Sequence, residues 1–259
     1  MSADGALTDG PSAVRPLLPR MSALVLGPGL GRHTSTMQAV QHILRDARDA
    51  SLPTVIDADG LWFAKEHPGE VMGAPSTVLT PNAAELSRLK QALQEHADTK
   101  QRMLSMQDWL DAAVARGDTL PGCPDAVLVS HALGGVGVLA KGATDCAVLV
   151  HGHDTPTVLW ADIATEGSPR RCGGQGDVLA GSLGTFMSWA HMQPKADNSG
   201  WEKAQPQPER IVAAMAAASM LTRASAQRAF RAGGRSTTTP DILEHLGAAF
   251  AELFENKVD

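Results

Sequence analysis

Six short apolar runs, each broken by glycine, proline or a polar residue, constrain this chain more than any other feature; they occupy residues 23–26, 53–56, 76–79, 136–140, 146–150 and 157–160. Runs of this kind are strands buried on both faces, and such strands belong to mainly parallel sheets with helices packed on them. Helical signals alternate with them. Thr34 or Ser35 can cap a helix that runs to about Ala50, and Asp59 reads as the cap of a short helix reaching His67. Pro81 suits the entry to a third helix, and Met103, Met106, Leu110, Ala113 and Val114 mark an amphipathic piece within a polar excursion. Residues 126–133 fit a strand or a helix. Helices are expected from Gln175 to about Met192 and from Glu209 to Arg231, the second rich in alanine for close packing. A last helix has Thr239 as its cap and Pro240 at its first position. Residues 1–20 read as an irregular lead-in, and the stretch up to Pro208 as a surface loop. The alternation predicts one α/β domain, a helix-covered sandwich.

Composition narrows the function. Over 259 residues the formal net charge is −6 and no basic stripe stands out, which argues against nucleic acid as a partner. No apolar stretch is long enough for a bilayer, and three scattered cysteines without zinc spacing point to a reducing compartment. The first residues lack an apolar signal core, so a soluble intracellular protein is expected.

The chemistry concentrates in residues 170–181, where Gly173, Gly174 and Gly176 precede Asp177 and an apolar run with helical spacing. A glycine turn opening a helix leaves backbone N–H groups aimed outward at the positive end of the helix dipole, which favours phosphate. Asp177 then has two readings: a base for a hydroxyl that attacks the phosphate, or a simple helix-start residue. Gly27, Gly29 and Gly31 surround Pro28 and Leu30 at a strand end, where a ligand can approach the backbone. Asp57 is open between metal or phosphate chemistry and a hydrogen bond to a loop. Asn82 and Glu85 share a helix face, fit either to hold a hydrated Mg²⁺ with a substrate or to form a favourable helix start. Lys141, at another strand end, meets phosphate or is a solvated turn lysine; Cys172 reads as a small packing residue.

Taken together, residues 27–31, 55–60, 79–85, 141–142, 173–181 and 234–241 resemble, in this order, the ATP-dependent NAD(P)H-hydrate dehydratases of the ribokinase-like α/β fold. Gln175, preceded by Arg170, Arg171 and Cys172, resembles the eukaryotic, ATP-using branch. The resemblance implies repair of a damaged nicotinamide cofactor. The hydroxyl of the S epimer of hydrated NADH or NADPH is phosphorylated by ATP, and phosphate is then eliminated. It implies Asp177 as the base, with Gly31, Asn82, Ala83, Ala84, Glu85, Leu86, Ser87 and Arg88 at the hydrate and Glu85 at Mg²⁺. It places ATP against Lys141, Gly142, Ala143, Thr144 and Asp145. Gly167, Ser168, Pro169, Arg170, Arg171, Cys172, Gly173, Gly174, Gln175 and Gly176 line the same nucleotide. It implies a cytoplasmic or mitochondrial protein, and leaves a homo-oligomer open. Family members normally begin with further βα units ahead of the strand at 23–26, so the domain is expected to be N-terminally incomplete, with an exposed sheet edge. A vitamin-precursor kinase of the same fold, or a non-catalytic nucleotide-binding protein, is the alternative.

Overall fold

A computed structural model describes residues 10–152, 155–197 and 199–255. Residues 1–9 of the expected lead-in lie outside the described residues; the remainder holds a short helix, α1 (Gly10–Val14), and a 3₁₀ turn at Leu18–Arg20. The sheet then builds in chain order. β1 (Leu24–Leu26) leads through α2 (Thr34–Asp49) to β2 (Thr54–Ile56). Helices α3 (Asp59–Glu66) and α4 (Pro68–Val71) lead to β3 (Thr77–Leu79). Helices α5 (Ala83–Glu95), α6 (Ala97–Arg116) and α7 (Pro124–Ala132) then precede β4 (Gly137–Ala140). β5 (Asp145–His151) and β6 (Thr157–Ile163) follow directly. The strand order is β1-β2-β3-β4-β5-β6; the first four are parallel and the last two antiparallel. Residues 126–132 resolve as helix, with Leu133 at its C-cap. Their pattern is apolar all round because α7 is buried on most sides, and such a pattern carries no period.

A sheet that grows in one direction through right-handed crossovers places every connecting helix on the same face. That face carries Leu26, Ile56, Leu79, Val138 and Val148, in register across five strands, packed against α2, α3, α5, α6 and α7. The alternate residues Val55, Val78, Leu139 and Leu149 face the other way. They are covered by two helices from the end of the chain, α8 (Gln175–Ala190) and α9 (Pro208–Gly233). Period-two alternation between two apolar layers explains why each strand reads as continuously hydrophobic. Among the alanines of α9, Ala214 and Ala218 are buried against this layer. β1 forms one edge of the sheet, and Val25 on it is 39% exposed.

The expected surface loop before Pro208 contains a hairpin, β7 (Met192–Pro194) with β8 (Trp201–Lys203). Its exposed two-stranded pairing has no apolar alternation to announce it. Two short helices close the chain, α10 (Thr239–Glu244) and α11 (Leu246–Phe250), the latter continued by a π turn at Ala251–Glu255. The cap of α10 is Thr238, one residue before the expected Thr239, because Thr238 and Asp241 form a reciprocal capping box. Neither Thr34 nor Ser35 caps α2: His33 holds the cap position and its Nδ1 bonds Ser35 Oγ. Among the described residues no helix is long and apolar enough to cross a membrane.

His191 fastens the C-terminal end of α8 to the start of β3. It is 4% exposed; its Nδ1–H donates to the Met187 carbonyl at 2.7 Å, and its Nε2 accepts from the Ser76 hydroxyl at 2.9 Å. The bond accepted by Nε2 requires the neutral ring, whereas the Nδ1–H bond forms in either state. Burial, seconded by the positive charges of Arg210 and Lys203, holds its pKa below the ordinary histidine value. As pH falls the unfolded chain therefore protonates first, so this contribution to stability is complete above about pH 6.5 and is lost below it. Urea unfolding between about pH 5 and 7 should show His191→Asn with a flatter pH dependence than wild type, by at most ~1.4 kcal/mol per pH unit. Equal slopes in the two proteins would contradict the assignment.

Candidate active site

The chain leaving β2 and the chain leaving β4 meet the first turn of α8 at Asp57 and Lys141. Asp57 follows β2, and its backbone is pinned: its N–H donates to the Leu26 carbonyl and its own carbonyl accepts from Gly60 N–H. Gly27 lies so close that a Cβ there would sit 1.7 Å from the Asp57 carbonyl oxygen, with φ +126°. Only glycine fits that approach. The Asp57 carboxylate is the group that sequence alone left open. It is 3% exposed, and its Oδ1 accepts from Lys141 Nζ at 2.8 Å. Lys141 is therefore no solvated turn lysine. It continues β4, its N–H donates to the Pro81 carbonyl, and its side chain crosses the end of β3 to reach Asp57.

Asp59 does not cap α3. Ala58, at φ +48°, holds that position, while the Asp59 carboxylate accepts from Gly31 N–H at 2.9 Å and Arg32 Nε at 2.8 Å. It thereby ties the Gly27–Gly31 loop to α3. Asn82 caps α5: its Oδ1 accepts from the N–H groups of Ala84 and Glu85, and Glu85 Oε2 accepts from Asn82 N–H at 2.8 Å. The helix-start reading of this pair is thus realised, with one Glu85 oxygen engaged in the cap. Among the described residues no group of three acidic, histidine or cysteine side chains could hold a metal ion. Ala83, Ala84, Ser87 and Arg88 are exposed along the first turns of α5, whereas the Leu86 side chain is buried in the core and is turned away from any ligand.

Gly174, at φ +88°, opens α8 in the left-handed conformation that favours glycine. The chain's C-terminal part fixes the turn. The Thr239 hydroxyl donates to the Gly173 carbonyl, and Cys172 Sγ–H donates to the Thr237 carbonyl at 3.2 Å. Among the described residues the N–H groups of Gly176 and Asp177 have no protein partner. They are the free donors expected at a helix start.

This turn separates two cavities. On one side is a cleft of about 520 Å³ that contains Lys141, Gly142, Ala143, Asp145, Gly167, Ser168, Pro169, Arg171, Cys172, Gln175 and Gly176 together with Asn82. On the other is an apolar groove of about 670 Å³ with Gly174 and Asp177 at one end and Phe186, Trp189, Leu246 and Phe250 along it. Of the residues expected to touch ATP, Thr144, Arg170 and Gly173 line neither cavity; of those expected at the hydrate, Gly31 and residues 83–88 line neither. Asp177 is exposed.

The sequence reading missed Arg223 on α9. Its Nη1 donates to Asp145 Oδ1 at 3.1 Å and to the Gly142 carbonyl, its Nε to the Thr165 carbonyl at 2.5 Å, and its Nη2 to the Ala143 carbonyl. Asp145, 5% exposed, also accepts from Gly142 N–H and the Ser219 hydroxyl, so its carboxylate shapes the 141–145 turn from within. The available signal was Ser219, Thr222 and Arg223, polar residues on one face of an alanine-rich helix.

A family model described as NAD(P)H-hydrate dehydratase matches residues 6–247. The ATP-dependent (S)-NAD(P)H-hydrate dehydratase of Homo sapiens is 40% identical over 250 residues, covering 95% of this chain and 62% of that protein. The Danio rerio protein of the same name is 35% identical over 252 residues, covering 96% of this chain and 66% of its own length. The chain thus spans a little under two thirds of the curated relatives it matches. Among solved structures, a ribokinase-like superfamily protein from Enterococcus faecalis V583 superposes with a TM-score of 0.55 at 18% identity, covering 93% of this chain and 66% of the other. A hydroxyethylthiazole kinase from Pyrococcus horikoshii OT3 superposes with a TM-score of 0.54 at 13% identity, covering 92% and 75%. These likenesses establish a ribokinase-like fold, and with the match along nearly its whole length the chain belongs to the NAD(P)H-hydrate dehydratase family.

Proposed function

We propose that this chain catalyses the ATP-dependent dehydration of the S epimer of hydrated NADH or NADPH, returning the reduced cofactor with ADP and phosphate. The observation that carries this reading is the glycine turn. Its unpartnered Gly176 and Asp177 N–H groups lie between a cleft bearing Lys141 and Arg171 and the carboxylate of Asp177. A triphosphate suits the cationic cleft, with its γ-phosphoryl group at the turn. Asp177 takes the proton from the hydrate's hydroxyl as that oxygen attacks the γ-phosphorus, and the bond to the β-phosphate oxygen breaks to release ADP. The turn N–H groups and Lys141 offset the charge on the transferring oxygens. Phosphate then leaves the carbon that bore the hydroxyl, with its C–O bond pair, while the neighbouring ring carbon gives up a proton to water, and the double bond formed between the two carbons restores the dihydropyridine. The hydrate extends from Asp177 toward Gly31 and the start of α5, where Leu86 contributes backbone only. Magnesium enters with the nucleotide, carried by phosphate oxygens and water as is usual for this hard cation. Three free thiols support a reducing intracellular compartment, cytoplasmic or mitochondrial.

Incubation with hydrated NADH, ATP and Mg²⁺ should regenerate the absorbance of reduced nicotinamide. ADP release with another alcohol and no NADH would instead mark a small-molecule kinase. Asp177→Asn should lower turnover by ~10² or more, and a rate within a few-fold of wild type would remove Asp177 as the base. Arg223→Met, which frees two nucleotide loops at once, should weaken ATP binding about tenfold or more in calorimetry. Unchanged affinity would show that those loops hold their shape without it.

A further inference from the structure

Asp57 belongs to no part of the site described so far except through Lys141, and its geometry goes beyond an incidental ion pair. Both residues are anchored by backbone hydrogen bonds at strand ends flanking β3. Their side chains meet above β3, with Asp57 4% and Lys141 22% exposed. The first turn of α8 rests on them: a Cβ at Gly176 would lie 3.4 Å from Asp57 Oδ2 and 3.8 Å from Lys141 Nζ. The ammonium is thus already placed next to the turn whose N–H groups have no protein partner. A lysine side chain otherwise has much rotamer freedom to lose when it is fixed.

We propose that Asp57 is a positioning residue for phosphoryl transfer: its buried carboxylate holds Lys141 Nζ beneath the glycine turn, so that the ammonium stands at the transferring phosphoryl group before nucleotide binds. The inference rests on the proposed reading of the site as an ATP-dependent phosphoryl-transfer centre. It separates binding from chemistry. Asp57 is itself negative, and removing its charge leaves the triphosphate bound at least as well. The ammonium, no longer held, then wanders from the place where charge develops, and a misplacement of that kind costs about 10² in rate. A carboxylate that only supported the fold would lower binding and turnover together.

The test compares wild type, Asp57→Asn, Lys141→Met and the double variant. ATP affinity is read by calorimetry, and kcat and KM by recovery of NADH from its hydrate. Asp57→Asn is expected to keep ATP affinity within about threefold of wild type, or to tighten it, while kcat falls about 10²-fold. Lys141→Met should lose both affinity and turnover, and adding Asp57→Asn to it should lower kcat no further, since the carboxylate acts through the lysine. Independent, multiplying losses in the double variant, or a wild-type kcat in Asp57→Asn, would overturn the proposal. If Asp57→Asn does not fold, Lys141→Arg decides. It retains a cation for Asp57 but displaces the charge, so kcat should fall with ATP still bound, and normal turnover would refute positioning. A wild-type chain that binds ATP but regenerates no NADH would fail the dehydratase reading. In that case, ADP release with a different alcohol would decide: its loss in Asp57→Asn would support the positioning role, and its retention would overturn it. A wild-type chain that neither binds ATP nor turns over overturns both.

Discussion

A carboxylate withdrawn from water needs a cation, and the Asp57–Lys141 pair is where this molecule meets that demand. The loops around it are arranged accordingly. Gly27 yields its side chain to the Asp57 backbone, Gly176 leaves room above the carboxylate, and Lys141 extends from the end of β4 across its neighbour. Three parallel strands and one helix start are thereby held at a common level. The unpartnered N–H groups of the turn, the Lys141 ammonium held by Asp57 and the exposed carboxylate of Asp177 all lie at that level. Replacing both members of such a pair by apolar residues is often tolerated, whereas removing one leaves a buried charge. The pair therefore constrains the site more tightly than its modest surface suggests.

The sheet and its main helices were legible in the sequence because they rest on local periodicity. Every strand expected between residues 23 and 160 is present, the helices after Thr34, Gln175 and Pro208 end within a few residues of where they were expected, and the helix expected to begin near Pro81 does so. Local signals failed where several residues compete for one role. Thr238 and Thr239 are both able to cap, and the choice falls to whichever meets Asp241. Asp59 lost its capping role to a tertiary one, because Gly31 and Arg32 offer it donors from another loop. The hairpin at Met192–Pro194 and Trp201–Lys203 carries no buried face, so nothing in its pattern betrays it.

The site was legible as a set of motifs but not as a geometry. Glycine spacing and strand ends point to the turn, the Gly27–Gly31 loop and Lys141. The interactions that organise them join residues far apart in the chain: Lys141 with Asp57 across 84 positions, Arg223 with Asp145 across 78, Thr239 with Gly173 across 66. No window of sequence contains both partners. The separation of Asp177 from the cationic cleft by one turn of backbone is likewise a property of the helix start, visible only once the two cavities lie on either side of it.

Because the six strands pair in the order in which they are made, each new strand of the nascent chain finds its partner already waiting. The first apolar layer can close as its helices emerge. The second cannot, since it awaits α8 and α9, and with them come the glycine turn, Arg223 and the threonines that fasten the turn. Synthesis thus passes through a stage in which a nearly finished sheet shows one bare hydrophobic face and the glycine turn is not yet in place. Closure of that face and completion of the glycine turn are a single late event, so molecules still vulnerable to aggregation are also molecules in which the turn and its fastenings are not yet formed.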